Sequence, residues 1–178
     1  SNAAGVLEWA LERAGEGGKV LFFPDQHLGR NTALAMGYED QDLSVWNPMM
    51  VPDWESLNAS TFVLWHGYCS VHQRFTVEQI NDFREDNPGA LVIAHPECDR
   101  EVVDAADASG STEMIRRYVE DAPSGSVIGV GTEIHLVKRL DSNYSDKKVI
   151  CLDPGVCPCS TMYMIHPVFL ADLLESLV

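Results

Sequence analysis

The sequence predicts an α/β fold: two small three-layer α/β/α units with parallel sheets. Short apolar runs alternate with stretches of helical periodicity along the chain, the pattern of strands joined by crossover helices. The runs are nearly continuous in apolar residues rather than alternating, as strands buried on both faces must be. A helix, a strand and Pro24-Asp25 are echoed later by a helix, a strand and Pro96-Glu97, which suggests two units of similar plan.

Val6 to Ala14 carries apolar residues at helical spacing, and Gly15, Gly17 and Gly18 stop it. Lys19–Phe23 (KVLFF) is a first buried strand, ended by Pro24-Asp25. Asn31 is able to cap a short helix that runs through Met36 and closes at Gly37. From Tyr38 to Ser60, Asn47-Pro48, Val51-Pro52, Trp46 and Trp54 read as a long, ordered but irregular connection. Thr61–Trp65 (TFVLW) is the second strand, and Thr76 caps a helix through Arg84 with Glu78 near its positive end. After the Asn87-Pro88-Gly89 turn, Ala90–Ala94 is the third strand and Asp99–Ala108 a helix. Ser111 or Thr112 opens another helix, which ends before Pro123. Ser126–Val130 is the fourth strand, Thr132–Leu140 a helix, and Lys147–Leu152 the fifth strand. Pro154–Cys159 is a tight loop, and Pro167 opens a last amphipathic helix.

With 178 residues, 46% of them hydrophobic, and no very long apolar run, the chain reads as globular rather than membrane-spanning. Its formal charge of -15, from 27 acidic against 12 basic residues, excludes a general nucleic-acid binder, because nothing offsets phosphate repulsion. No basic-then-apolar leader is visible, and Ser1-Asn2-Ala3 (residues 1–3) reads as the scar of a cleaved tag. The expected location is the cytoplasm, with the five cysteines reduced. No Walker A loop, Gly-x-Gly-x-x-Gly, Gly-x-Ser-x-Gly or His-Glu-x-x-His occurs, so nucleotide binding, serine hydrolysis and zincin chemistry lack support.

Strand-then-polar junctions recur at Asp25-Gln26-His27, His66–His72, His95–Cys98, Thr132-Glu133 and Cys157–Cys159. Parallel sheets bind ligands beyond the carboxyl ends of their strands, so these loops are expected to converge on one site. Cys69, flanked by His66 and His72, is either a packed thiol or a metal ligand, and Cys159 at another strand end favours the metal. Pro158 aims Cys157 and Cys159 apart, so they do not chelate one ion together; thiolates gathered from distant loops suit an iron–sulfur cluster. Cys98 and Cys151 read as core thiols. His95 and Glu97 are either an acid–base pair or a satisfied core imidazole and a helix cap. Gly110-Ser111-Thr112 is either an anion seat at a helix start or an ordinary N-cap. His27 is either a polar group at the same edge or part of a turn.

Six segments together resemble one family. PDQHLGRNT (24–32), LWHGYCSVHQRFT (64–76), IAHPEC (93–98), VDAADASGST (103–112), VGTEIHLVKRL (130–140) and CPCSTM (157–162) are similar, in order, to quinolinate synthase, the A protein of NAD biosynthesis. The resemblance implies three α/β units in pseudo-threefold arrangement around a [4Fe–4S] cluster, each unit giving one cysteine and the fourth iron left open. It implies condensation of iminoaspartate with dihydroxyacetone phosphate to quinolinate, with loss of phosphate and water. Residues 4–75 would be the second unit and 76–178 the third. Cys69 and Cys159 match two cluster ligands, and His72, His95 and Glu97 match catalytic residues, Glu97 being the one for proton transfer. Ser111 and Thr112 match the segment that holds the substrate's anionic end, and His27 stands where many members have Asn.

The family's first unit, with the remaining cluster cysteine and further substrate-binding residues, has no counterpart in this chain, which is therefore expected to be inactive alone. The competing reading is a non-catalytic α/β module that binds a small anion or a partner at the same strand edge, since each motif also has a structural explanation. Loss or retention of cluster binding on replacing Cys69 and Cys159 separates the two.

Overall fold

The computed structural model describes residues 2–155 and Glu175. A first sheet contains β1 (Val20–Phe22), β2 (Leu43–Trp46) and β3 (Phe62–Trp65), ordered β1-β3-β2 and parallel throughout. The second contains β4 (Leu91–Ala94), β5 (Ala108–Ser109), β6 (Val127–Gly131) and β7 (Lys148–Cys151), ordered β5-β4-β6-β7 and again all parallel. The connecting helices are α1 (Ala3–Ala14), α2 (Gln26–Ala35), α3 (Trp54–Ala59), α4 (Val77–Asp86), α5 (Arg100–Ala105), α6 (Thr112–Asp121) and α7 (Ile134–Asn143). The α/β class and the five expected strands are present, and none of the described helices is long and apolar enough to cross a membrane.

Each sheet has its own apolar core. Leu7 of α1, Val20, Ala33 of α2, Leu43, Phe62 and Leu64 form the first. Val92, Ile93, Ile115, Val119, Ile128, Val130, Val137 and Leu140 are at the centre of the second, which also takes in Val71 and Phe75 from the segment after β3. Period-two alternation explains the first sheet: Val20, Phe62 and Leu43 lie in register on one face, and Phe22, Leu64 and Val45 follow two residues later on that face.

Three local readings are corrected. Asn31 does not cap α2; the helix starts five residues earlier, at Gln26, with the Asp25 carboxylate accepting from Leu28 N–H at 2.8 Å. Gly29 lies inside this helix, where a Cβ would stand 2.7 Å from the Phe22 ring and 2.8 Å from Leu64. The stretch read as irregular contains β2 and α3, with Asp53 capping α3 at Ser56 N–H. The helix read over 99–108 ends at Ala105 because Asp107 docks the chain along β4, its carboxylate accepting from Val92 N–H at 2.7 Å. The segment opened by Pro167 lies outside the described residues.

The Thr76 cap is as read from sequence. Its hydroxyl accepts from Gln79 N–H at 3.2 Å while Gln79 Oε1 accepts from Thr76 N–H at 3.0 Å, a reciprocal capping box. Replacing Thr76 by Ala is expected to cost about 1 kcal/mol, whereas Phe62→Ala, at a fully buried position, is expected to cost about 3–5 kcal/mol. Urea unfolding of the two variants measures the difference, and equal costs would contradict this ranking.

Candidate active site

The turns that follow β1, β3, β4 and β6 meet at the carboxyl edge of the two sheets. Cys69 and His72 come after β3, His95 and Glu97 after β4, and Thr132 after β6. One ligand atom each from Cys69, His72 and Glu97 lie within 4.8 Å of one another. His72 Nδ1 stands 3.0 Å from Glu97 Oε2, at ion-pair distance but off the line of a directed hydrogen bond. His72 Nε2 is 3.1 Å from the Thr132 hydroxyl, and the His72 and His95 rings stack with centroids 4.5 Å apart.

Backbone contacts hold these side chains. The buried Asp25 carboxylate, besides capping α2, accepts from Cys69 N–H at 2.9 Å. Gln26 N–H donates to Gly67 O at 2.9 Å, and a Cβ on Gly67 would stand 2.1 Å from Pro24 O. The turn bearing Cys69 is therefore pressed against the start of α2, and only glycine allows the approach. Across the site, Cys98 N–H donates to His95 O at 2.9 Å and Glu97 N–H to His95 Nδ1 at 3.3 Å. With Nδ1 accepting, neutral His95 carries its proton on Nε2.

The electrostatics divide the two histidines. Burial opposes charge on His72, but Cys69 and Glu97 beside it outweigh that and push its pKa up to about 9. Burial and the neighbouring His72 cation push His95 down to about 4. Contact with His72 holds the Glu97 carboxyl below the ordinary range. Burial by itself would raise the Cys69 thiol, yet the bond to His72 wins and lowers it. At neutral pH the site therefore holds an imidazolium between a carboxylate and an acidified thiol, with a neutral imidazole stacked on it. Cys98 is the contrast: burial pushes its thiol far up, so it is an inert core group.

Of the residues singled out in the sequence, Cys69, His72, His95 and Glu97 come together. His27 does not join them; its Nδ1 pairs with Asp99 at 2.9 Å. Ser111 caps α6, accepting from Met114 N–H at 3.3 Å, and lines a cavity of about 410 Å³ with Asn31, Pro96 and Met114. Thr112 is exposed, and Cys159 lies outside the described residues. Sequence reasoning assigned no role to Asp25 or Thr132. Both stand at strand-end junctions, which was the available signal.

His72 is expected to titrate near pH 9 and His95 near pH 4 in the metal-free chain, resolved by NMR of the imidazole carbons. Cys69 and then Glu97 raise His72, so Glu97→Gln is expected to lower its titration part of the way toward the usual ~6.5, and an unchanged titration would refute the contribution of Glu97. Because the folded pKa of His72 is raised, its stabilising contribution is full below about pH 6.5 and is lost as pH rises through about 9. Glu97, lowered, acts oppositely: its contribution is present above about pH 4.3 and lost as pH falls through its depressed value.

Comparison with known proteins places this geometry. The family profile described as Quinolinate synthetase A protein matches residues 1–178. The quinolinate synthase of Corynebacterium glutamicum is 55% identical over 181 residues, covering 100% of this chain and 45% of that protein. Those of Rhodopirellula baltica and Bacillus subtilis are 46% and 44% identical, each covering 99% of this chain and 45% and 47% of theirs. The chain thus spans about half the length of the curated relatives it matches. With the profile matching from residue 1 to residue 178, the chain belongs to the Quinolinate synthetase A protein family.

Proposed function

We propose that this chain forms part of the catalytic centre of a quinolinate synthase, which condenses iminoaspartate with dihydroxyacetone phosphate, losing phosphate and water. The observation that carries the reading is the Cys69–His72–Glu97 group at the strand carboxyl edge, in a chain that the family profile matches from end to end. Residues 4–75 and 76–178 are two of three α/β units in this reading, and the third precedes them in the full-length enzyme. The relatives' greater length supports that. The setting is the cytoplasm.

The donor chemistry fits an iron–sulfur cluster. Cys69 is a half-buried thiol whose proton is labilised by His72, and a thiolate is the ligand such clusters require. Cys69 and Cys159 would each hold one iron of a [4Fe–4S] cluster, with the third cysteine coming from the preceding unit. When bound, the cluster supplies a Lewis acid at its open iron. The chain's own side chains supply the rest. Glu97, ionised at neutral pH, takes a proton from the substrate. His95 presents its Nε2–H as a neutral donor to a substrate oxygen. His72, charged, 3.0 Å from Glu97 and bonded to Thr132, keeps the base ionised. Ser111 and Thr112 seat a carboxylate or phosphate, and His27 contributes at the edge through its pairing with Asp99.

The test uses this chain joined to the preceding half of its relatives' length, reconstituted anaerobically with iron and sulfide. Cys69→Ala is expected to abolish cluster uptake. Glu97→Gln is expected to keep the cluster but to lower kcat by roughly 10²–10⁴-fold. The chain by itself is expected to make almost no quinolinate, lacking one ligand and one wall of the pocket. Substantial turnover by the isolated chain, or normal cluster uptake without Cys69, would sink the respective assignment.

A further inference from the structure

Glu97 can act as a base only if its carboxylate is held toward the site, and it stands in a short turn after β4. Within that turn, the N–H groups of Glu97 and Cys98 are used on His95, and His95 N–H donates to Gly131 O at 3.0 Å. The carbonyls on either side of Glu97 are held from the other sheet's helix. Asn31 Nδ2 donates to Pro96 O at 2.9 Å and to Cys98 O at 2.9 Å. One amide group thus spends both of its hydrogens on the turn that holds Glu97, on the Pro96–Glu97 peptide just before it and on the Cys98–Asp99 peptide one residue beyond. Asn31 is buried, and its bond to Cys98 O is shut off from solvent. The reverse orientation of the amide would set its oxygen against two carbonyl oxygens, which fixes the assignment of Nδ2.

We infer that Asn31 is a positioning residue for Glu97, clamping the turn at the peptide before Glu97 and at the peptide after Cys98 so that the carboxylate faces His72 and the substrate. This rests on the reading of Glu97 as the proton-transfer group. The role is one of aim. A carboxylate that swings by about 1 Å loses on the order of 100-fold in rate, even when substrate binding is intact.

The experiment is a double-mutant cycle in the cluster-loaded full-length enzyme, with turnover expressed per cluster. Asn31→Ala removes both donated hydrogen bonds, and Asn31→Asp does so without changing side-chain size. Each is expected to lower kcat roughly 10- to 100-fold, with KM for both substrates within about threefold. On a Glu97→Gln background the same changes are expected to lower kcat no further, because Asn31 acts through Glu97. Unchanged kcat, or losses that multiply in the double variants, would overturn the inference. Full activity of Glu97→Gln would instead overturn the reading of Glu97. If both Asn31 variants fail to fold, NMR couplings across the hydrogen bonds from Asn31 Nδ2 to the Pro96 and Cys98 carbonyl carbons report on the wild-type enzyme. Their presence supports the positioning role, and their absence refutes it.

Discussion

A positive charge on His72, placed where solvent hardly reaches, is the constraint the rest of this site satisfies. A buried imidazolium is tolerable only with compensation on every side. Glu97 provides the opposite charge, Thr132 takes up the second ring nitrogen, and the Cys69 thiol, lowered by its bond to His72, stands beside them. His95 stacks on the ring and stays neutral because a second cation there would be repelled. Each of these four groups comes from a different position in the chain. They meet because parallel strands deliver their following loops to one edge.

That dependence explains why the site needs two sheets. Cys69 and His72 hang from the first, and Glu97, His95 and Thr132 from the second. The segment joining them buries Val71 and Phe75 in the second sheet's core, so His72 is anchored among the groups that stabilise its charge. His66, by contrast, is exposed on the far side of Gly67 and takes no part in the cluster.

Much of this was legible in the sequence. The five main strands are continuous apolar runs, and the polar residues after them mark the edge where chemistry gathers. The Thr76 and Ser111 caps follow from side-chain hydroxyls placed just ahead of helical patterns. What escaped has a common cause: the deciding partner is far away in sequence. Asn31 looks like a cap because local rules see only its neighbours, while its bonds go to Pro96 and Cys98. Strand β2 is short and followed closely by Pro48 and Pro52, and its ladder with β3 makes it a strand. Strand β5 consists of two residues and owes its existence to Asp107.

The helix α2 is held at both ends of its first two turns by the site. At its start, Asp25 grips the Cys69 amide; six residues on, Asn31 grips the turn that carries Glu97, at the Pro96 and Cys98 carbonyls. The thiol and the carboxylate belong to different sheets, yet both are indexed to one rigid rod about ten residues long. The helix works as a gauge bar: the turn bearing Cys69 and the turn bearing Glu97 are both referred to the six residues of backbone between Asp25 and Asn31.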